Sequence, residues 1–235
     1  MVNQNTSAHT AQSALPNLLV RVVRVFIAPA SLFDALRERP VWLDALLVTI
    51  VVGLLVQFMI PAEMIRDAIV SGLPADASPE QIEGAERMAG LSSSFGWVMT
   101  IVWPLLLFTF LAGLLKLVYG ALLGGPVTFR QMFSATAHAQ LINTAGAVIT
   151  LPLIRATGDL RSTLSLHLLV PELERDGWLF GFLQGLSLFG LWTMIVLGLA
   201  VSRISPKVSA TSAVAFLVGG YVLVKAVFAF APAAG

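Results

Sequence analysis

Five long apolar runs, separated by more polar segments of 7 to 35 residues, dominate the chain. They cover residues 42–60, 96–123, 132–154, 177–202 and 210–230. The charged residues within them are Asp44 in the first run, Lys116 in the second and Lys225 in the fifth. About 20 apolar residues in helical form cross the hydrocarbon of a bilayer, whereas a helix of a soluble core is shorter and keeps a polar face. The pattern therefore predicts an all-α polytopic bundle of five membrane-spanning helices within residues 41–235.

The segment before the first run has a different pattern, which predicts amphipathic membrane-surface helices over residues 17–40. Asn17, Arg21 and Arg24 follow one helical stripe among apolar residues, so the two arginines are expected to reach lipid phosphate at the membrane surface. The alternative is a helix packed on the cytoplasmic face of the bundle. Residues 1–16 are polar and are predicted to form a disordered tail.

Two short motifs predict where helices begin. Ser31 with Asp34, after Pro29, has capping-box spacing, and Thr128 with Gln131 repeats that spacing before the third run.

Composition supports a membrane protein and excludes several other classes. Of the 235 residues, 57% are hydrophobic and 11% are charged, too few charges to cover a soluble surface. The net charge of +1 argues against nucleic acid as a partner. Without cysteine, the chain has neither a disulfide framework nor a thiolate metal site. The chain is therefore expected to lie in the lipid bilayer.

The charges in the connecting segments predict the orientation. The segments on the N-terminal side of the membrane carry eight Lys and Arg residues, and those on the opposite side carry five together with most of the acidic residues. Because positive residues accumulate on the cytoplasmic side, the N-terminus is expected in the cytoplasm. With five spans the C-terminus lies outside, in a bacterial cytoplasmic membrane.

Three groups of residues carry a resemblance to a known family. They are Pro29, Phe33, Leu36, Pro40 and Trp42; Gly124-Gly125 with Thr128-Phe129-Arg130 and Phe133; and Leu188-Phe189-Gly190-Leu191-Trp192 with Gly198-Leu199. In order and spacing they resemble the Ypt-interacting-protein (Yip) domain family, above all its bacterial branch, over about residues 24–230. The resemblance implies five spans with a cytoplasmic N-terminus. Eukaryotic members work with Rab-type GTPases, but their Asp-Leu-Tyr-Gly-Pro element is missing here, so the resemblance implies no biochemical role.

Catalytic and metal-binding patterns are weak in this sequence. Ser134 and His138 share a helix face and could act as nucleophile and base, with Asp44 as a distant third member, but no carboxylate in their own helix orients the imidazole. His9, His138 and His167 lie in three different segments without ligand spacing. We therefore expect no enzyme, no cofactor and no metal site.

Polar residues inside the apolar runs allow two interpretations. His138, Gln140, Asn143, Gln184 and Lys225 are expected within the membrane, and such residues often mark the path of an ion or solute. They also commonly form hydrogen bonds between helices, which is the interpretation we favour.

A repeat of small residues predicts a helix-packing surface. Gly177, Gly181 and Gly185 recur every four residues in the fourth run. Such a groove lets another helix approach closely, either within the bundle or from a second copy of the chain.

Together these features predict a non-catalytic multi-pass membrane protein that acts as an adaptor or organising subunit. Its expected partners are a membrane protein or further copies of itself. A small-solute or ion permease is the second hypothesis, and an intramembrane enzyme is the third.

Overall fold

The computed structural model describes residues 15–74, 76–160, 162–173 and 177–230, and this part of the chain is helical. Most of the segment predicted as a disordered tail therefore lies outside the described residues. The α-helices are α1 (Leu18–Ile27), α2 (Pro29–Glu38), α3 (Leu43–Met59), α4 (Ala62–Val70), α5 (Pro79–Lys116), α6 (Phe129–Ala139), α7 (Leu141–Thr157), α8 (Trp178–Gly185), α9 (Leu188–Ile204) and α10 (Ala210–Phe230). A π-helical stretch, Leu117–Leu122, continues α5, and a 3₁₀ turn, Leu166–Leu169, precedes α8. The predicted all-α fold is confirmed.

Several helices are long and apolar enough to cross a membrane. Three meet this criterion by themselves: Pro79–Leu122, Phe129–Thr157 and Ala210–Phe230. The bent pair of α3 and α4, which turns by 83°, gives a fourth if the two helices count as one span. The described chain is thus a multi-pass helical bundle with three or four candidate spans by length, and the expected number of five stays a prediction.

In the fourth apolar run, one continuous helix over 177–202 was expected. This expectation is wrong, since the chain breaks at Leu186 and Ser187, between α8 and α9. The backbone groups at the break find other partners in the preceding loop: the Leu166 amide donates to the Leu186 carbonyl at 3.1 Å, and the Leu188 amide donates to the Leu164 carbonyl at 2.9 Å. A helix can break within a membrane only when such substitute bonds form.

Helix starts follow the capping chemistry only in part. At α6 the Thr128–Gln131 capping box is present in both directions, as expected. The Ser31–Asp34 box is wrong, because α2 already begins at Pro29, whose fixed φ suits the first helical position. The Ser31 hydroxyl instead donates to the Ala28 carbonyl at 3.0 Å.

The centre of the bundle is formed by α6 and α7. In the apolar window of Phe129–Thr157, 61% of the residues are buried, against 17% for Pro79–Leu122 and 6% for Ala210–Phe230. Ala135, Ala137 and Ala139 are completely buried in α6. These short side chains let neighbouring helices approach α6 from several directions, as is common in membrane bundles.

Two ends of the bundle differ in charge. At one end Gln131, at the start of α6, donates a hydrogen bond to the Arg37 carbonyl in α2 at 2.9 Å. At the same end Arg203 of α9 lies 3.9 Å from the Asp34 carboxylate. Exposed basic residues thus collect where α2, α6 and α9 meet, whereas α4 and the start of α5 carry mainly acidic residues.

Candidate functional site

The most polar interior contacts surround Arg21. The Asn17 side chain caps α1 by accepting from the Val20 amide at 3.0 Å. One turn later the Arg21 side chain turns into the bundle and is only 5% exposed. Its Nη1 lies 3.1 Å from Asp44 Oδ1, its Nη2 contacts Asp44 Oδ2, and its Nε donates to the Pro16 carbonyl at 3.0 Å. The guanidinium therefore joins α1 to the beginning of α3.

The same guanidinium also reaches His138 in α6. Arg21 Nη1 lies 2.9 Å from His138 Nε2. An arginine can only donate, so Nε2 must be the acceptor and the imidazole carries its proton on Nδ1. Nδ1 lies 2.9 Å from the Ser134 carbonyl, to which it then donates. We call Arg21, Asp44 and His138 the buried polar cluster.

Arg21 was expected on the membrane surface, and this expectation is wrong. The helix presents its apolar residues outward instead, with Leu19 76%, Val23 53% and Ile27 76% exposed. Both Nη atoms of Arg21 contact the Asp44 carboxylate, and such a bidentate charge-assisted pair is strongest where water is excluded. Arg24 is half-exposed, so its role at the membrane surface stays a prediction.

The cluster leaves no free nucleophile and base. The Ser134 hydroxyl donates to the Val41 carbonyl at 2.5 Å, and both nitrogens of His138 already have partners. Asp44, which the sequence suggested as a distant third member, holds Arg21. The geometry therefore supports a structural role for these residues and gives none of the hydrogen bonds of a catalytic triad. Within the described residues, no group of three or more potential metal ligands occurs.

A second polar group lies on α7. Asn143 Nδ2 donates to the Oε1 of Gln140, the N-cap residue of α7, at 2.7 Å. The Thr144 hydroxyl lies 3.3 Å from the Thr49 hydroxyl and so links α7 to α3. These residues border a cleft of about 940 Å³ between α3, α5 and α7.

Lys225 lies apart from both groups, where α10 meets α8. Its ammonium nitrogen is 5.6 Å from the centre of the Tyr221 ring, and its stem covers Gly185. The Tyr221 hydroxyl donates to the Gly185 carbonyl at 3.2 Å. Gln184 is half-buried in α8. Of the polar residues predicted within the membrane, His138, the pair of Gln140 and Asn143, and Lys225 thus belong to separate sets of contacts, which argues against one continuous polar path.

The glycine repeat of α8 does not hold another helix of the described chain at its centre. A Cβ on Gly181 would have nothing within 4 Å, and a Cβ on Gly185 would meet the Lys225 Cδ at 3.4 Å. Gly177 precedes the first turn as N-cap. Packing against a second copy stays a prediction. A close approach between two helix backbones occurs at Gly198, where a Cβ would lie 2.6 Å from the Val214 Cα. Gly198 belongs to the motifs of the family resemblance but was not predicted as a packing contact.

The chain matches a known protein family over most of its length. The family model described as the Yip1 domain matches residues 23–231. The chain belongs to the Yip1 domain family. The resemblance inferred from the motifs is therefore confirmed.

A relative of this Yip1-domain chain is known in Bacillus subtilis (strain 168). It is called membrane protein YknW and is 27% identical over 201 residues, which cover 81% of this chain and 82% of the relative. No solved structure matches the chain. The family match begins at residue 23, so it includes Asp44 and His138 of the buried polar cluster but starts two residues after Arg21.

Proposed function

We propose that this Yip1-domain protein acts without catalysis, as an adaptor or organising subunit that binds another membrane protein. It lies in a bacterial cytoplasmic membrane with its N-terminus in the cytoplasm and its C-terminus outside. In this arrangement α3 crosses the membrane by itself, and α8 and α9 together form one broken span, so the number of spans is five.

The observation that carries this proposal is a charged surface on α4, the start of α5 and the loop between them. We call it the acidic cap. Its exposed acidic residues outnumber its basic residues, Arg66 and Arg87; they are Glu63, Asp67, Asp76, Glu80, Glu83 and Glu86. Placing this many charged side chains in hydrocarbon costs too much free energy, and the acidic cap therefore lies outside the hydrocarbon.

The shape of the acidic cap is held by packing as well as by charge. Arg66 of α4 forms an ion pair with Glu86 of α5. Beside this pair, Ala85 and Ala89 are buried at 8% and 4% exposure. A fixed surface of one dominant charge favours a partner of opposite charge and speeds its encounter with that partner.

One observation favours the permease as a second candidate. Broken spans are frequent in transporters, where the unwound backbone binds the transported solute or ion. The break between α8 and α9 has this form, but its backbone groups are already bonded to residues 164–166 and to Tyr221. These backbone groups are therefore not available to bind a transported solute, which favours the adaptor over the permease.

The test is purification of the tagged full-length protein from its own membranes in mild detergent. The acidic-cap variant carries Asp67→Lys and Glu83→Lys, both in exposed ion pairs that contribute little to stability. The control carries Arg130→Glu and Lys207→Glu at the opposite, basic end. We expect the parent and the control to retain a stoichiometric membrane protein and the acidic-cap variant to lose it. A parent protein that purifies alone would overturn the proposal.

A further inference from the structure

The cleft between α3, α5 and α7 has the shape of a long channel open at its side. Along α5 it extends from Met88 to Phe108, which at 1.5 Å per residue is about 30 Å. Its volume is about 940 Å³. Phe95, Met99 and Trp103 lie along it and are 59%, 63% and 61% exposed. In a membrane this side faces hydrocarbon, so lipid has direct access to the cleft.

The deep part of the cleft is polar. Gln140 is only 7% exposed and accepts a hydrogen bond from Asn143 through its side-chain oxygen. Among the described residues, no protein group is bonded to the side-chain nitrogen of Gln140 or the side-chain oxygen of Asn143. The pair thus offers one donor and one acceptor to a ligand in the cleft.

This polar pair lies near the middle of the membrane. Gln140 follows the eleven residues of α6, whose length is about 16 Å. The hydrocarbon core is about 30 Å thick, so a group at this depth is close to its midplane. An unsatisfied amide there costs free energy, which a ligand with a matching polar group would recover.

Neither an ionised headgroup nor a protein helix fits the cleft well. The described residues that line it include none with a charge, so a phosphate at its deep end would have no counter-charge. The backbone groups of a helix are already hydrogen-bonded within the helix, so its backbone could not use the free donor and acceptor of Gln140 and Asn143. A cavity of this size with few polar groups in apolar walls is typical of a site for a small amphiphile.

We propose that the cleft binds a neutral lipid, with its uncharged carbonyl or hydroxyl head on Gln140 and Asn143 and its apolar chain along α5. This site does not involve the acidic cap. A failure of the lipid proposal would therefore leave the proposed adaptor function untouched, and the reverse also holds.

The experiment uses the full-length protein in phosphatidylcholine vesicles with two photoactivatable probes. One probe is a diacylglycerol with a diazirine near the ester of one chain, and the other is a phosphatidylglycerol with the same labelled chain. We expect the diacylglycerol probe to label the peptides around Asn143 and Trp103 at least fivefold more than the lipid-facing peptide around Val227. Tenfold excess of unlabelled dioleoylglycerol should remove most of this labelling, and phosphatidylglycerol should not.

Variants locate the site and control for lipid contact in general. Ala147→Phe places a ring in the cleft, and the matched control Val148→Phe places the same ring on the adjacent, 48% exposed position. Asn143→Leu removes the polar head contact and leaves the channel open. We expect Ala147→Phe and Asn143→Leu to lose the preferential labelling severalfold and Val148→Phe to keep it.

Three outcomes would overturn the proposal. Equal labelling by both probes would show that the cleft is ordinary lipid-facing surface. Labelling that survives both Ala147→Phe and Asn143→Leu would place the lipid elsewhere. Protection of the cleft by a co-purified protein would assign it to a partner helix. If Ala147→Phe fails to fold, Asn143→Leu beside Val148→Phe still decides between these outcomes.

Discussion

Arg21 and Asp44 form a bidentate ion pair that connects α1 to α3. The Arg21 side chain is 5% exposed and that of Asp44 is 36% exposed. His138 then joins the pair to α6 at the centre of the bundle, since its Nε2 lies 2.9 Å from Arg21 Nη1. One arginine thereby ties three helices together.

Replacing Arg21 is therefore expected to be much more harmful than replacing Arg24. Arg21→Met leaves the Asp44 carboxylate without its partner, which costs about 2–3 kcal/mol in the free energy of unfolding, less than for a completely buried pair because Asp44 is partly exposed. Arg24→Met should change it by about 0.5 kcal/mol or less. Denaturant unfolding in detergent measures both. Equal effects would mean that the ion pair does not hold α1 in place.

The glycines of α8 and α9 allow a paired test of helix packing. Gly198→Ala forces a Cβ to within 2.6 Å of the Val214 Cα, and overpacking of this kind costs about 1–3 kcal/mol. Gly181→Ala adds a Cβ in open space and should be neutral or stabilise α8 by up to about 1 kcal/mol. Thermal unfolding in detergent compares the two variants with the parent. If Gly181→Ala weakens a dimer seen by size-exclusion chromatography, the glycine groove packs a second copy.

Variants of Asn143 and Lys225 distinguish a structural role of these residues from a role in a conduction path. Asn143→Leu removes the hydrogen bond to Gln140 and should lower stability by about 1 kcal/mol. Lys225→Met should change it by less than about 1 kcal/mol, because the lost contact with the Tyr221 ring is weak at a half-exposed site. Thermal stability in detergent is the measurement. Unfolding caused by Lys225→Met would reveal a buried partner for the ammonium group and would strengthen the permease hypothesis.

The orientation can be tested directly because the chain contains no cysteine. Gly84→Cys lies on the acidic cap, where a Cβ meets nothing within 4 Å, and Lys207→Cys lies exposed at the basic end. In intact cells a membrane-impermeant thiol reagent should modify Gly84→Cys at once and Lys207→Cys only after permeabilisation. The opposite result would reverse the proposed topology, and modification of both in intact cells would place both ends on the same side.

Much of the architecture follows from local sequence patterns. Long runs without charge must be buried in lipid or protein, and in lipid a chain satisfies its backbone within helices, so the all-α multi-pass fold was predictable. The capping box of Thr128 and Gln131 was predictable too, because its two hydrogen bonds span only three residues. The order and spacing of short motifs were sufficient for the family, as the match over residues 23–231 shows.

Contacts between distant segments were decided by the folded bundle. The periodicity of α1 is the same whether Arg21 faces lipid phosphate or the bundle, and only the position of Asp44, 23 residues further along, selects the interior. The helix break at Leu186 depends in the same way on backbone partners near residue 165. Gly198 rather than Gly181 became the close contact because α10 crosses α9 there, and a pattern within one helix carries no information about where another helix crosses it.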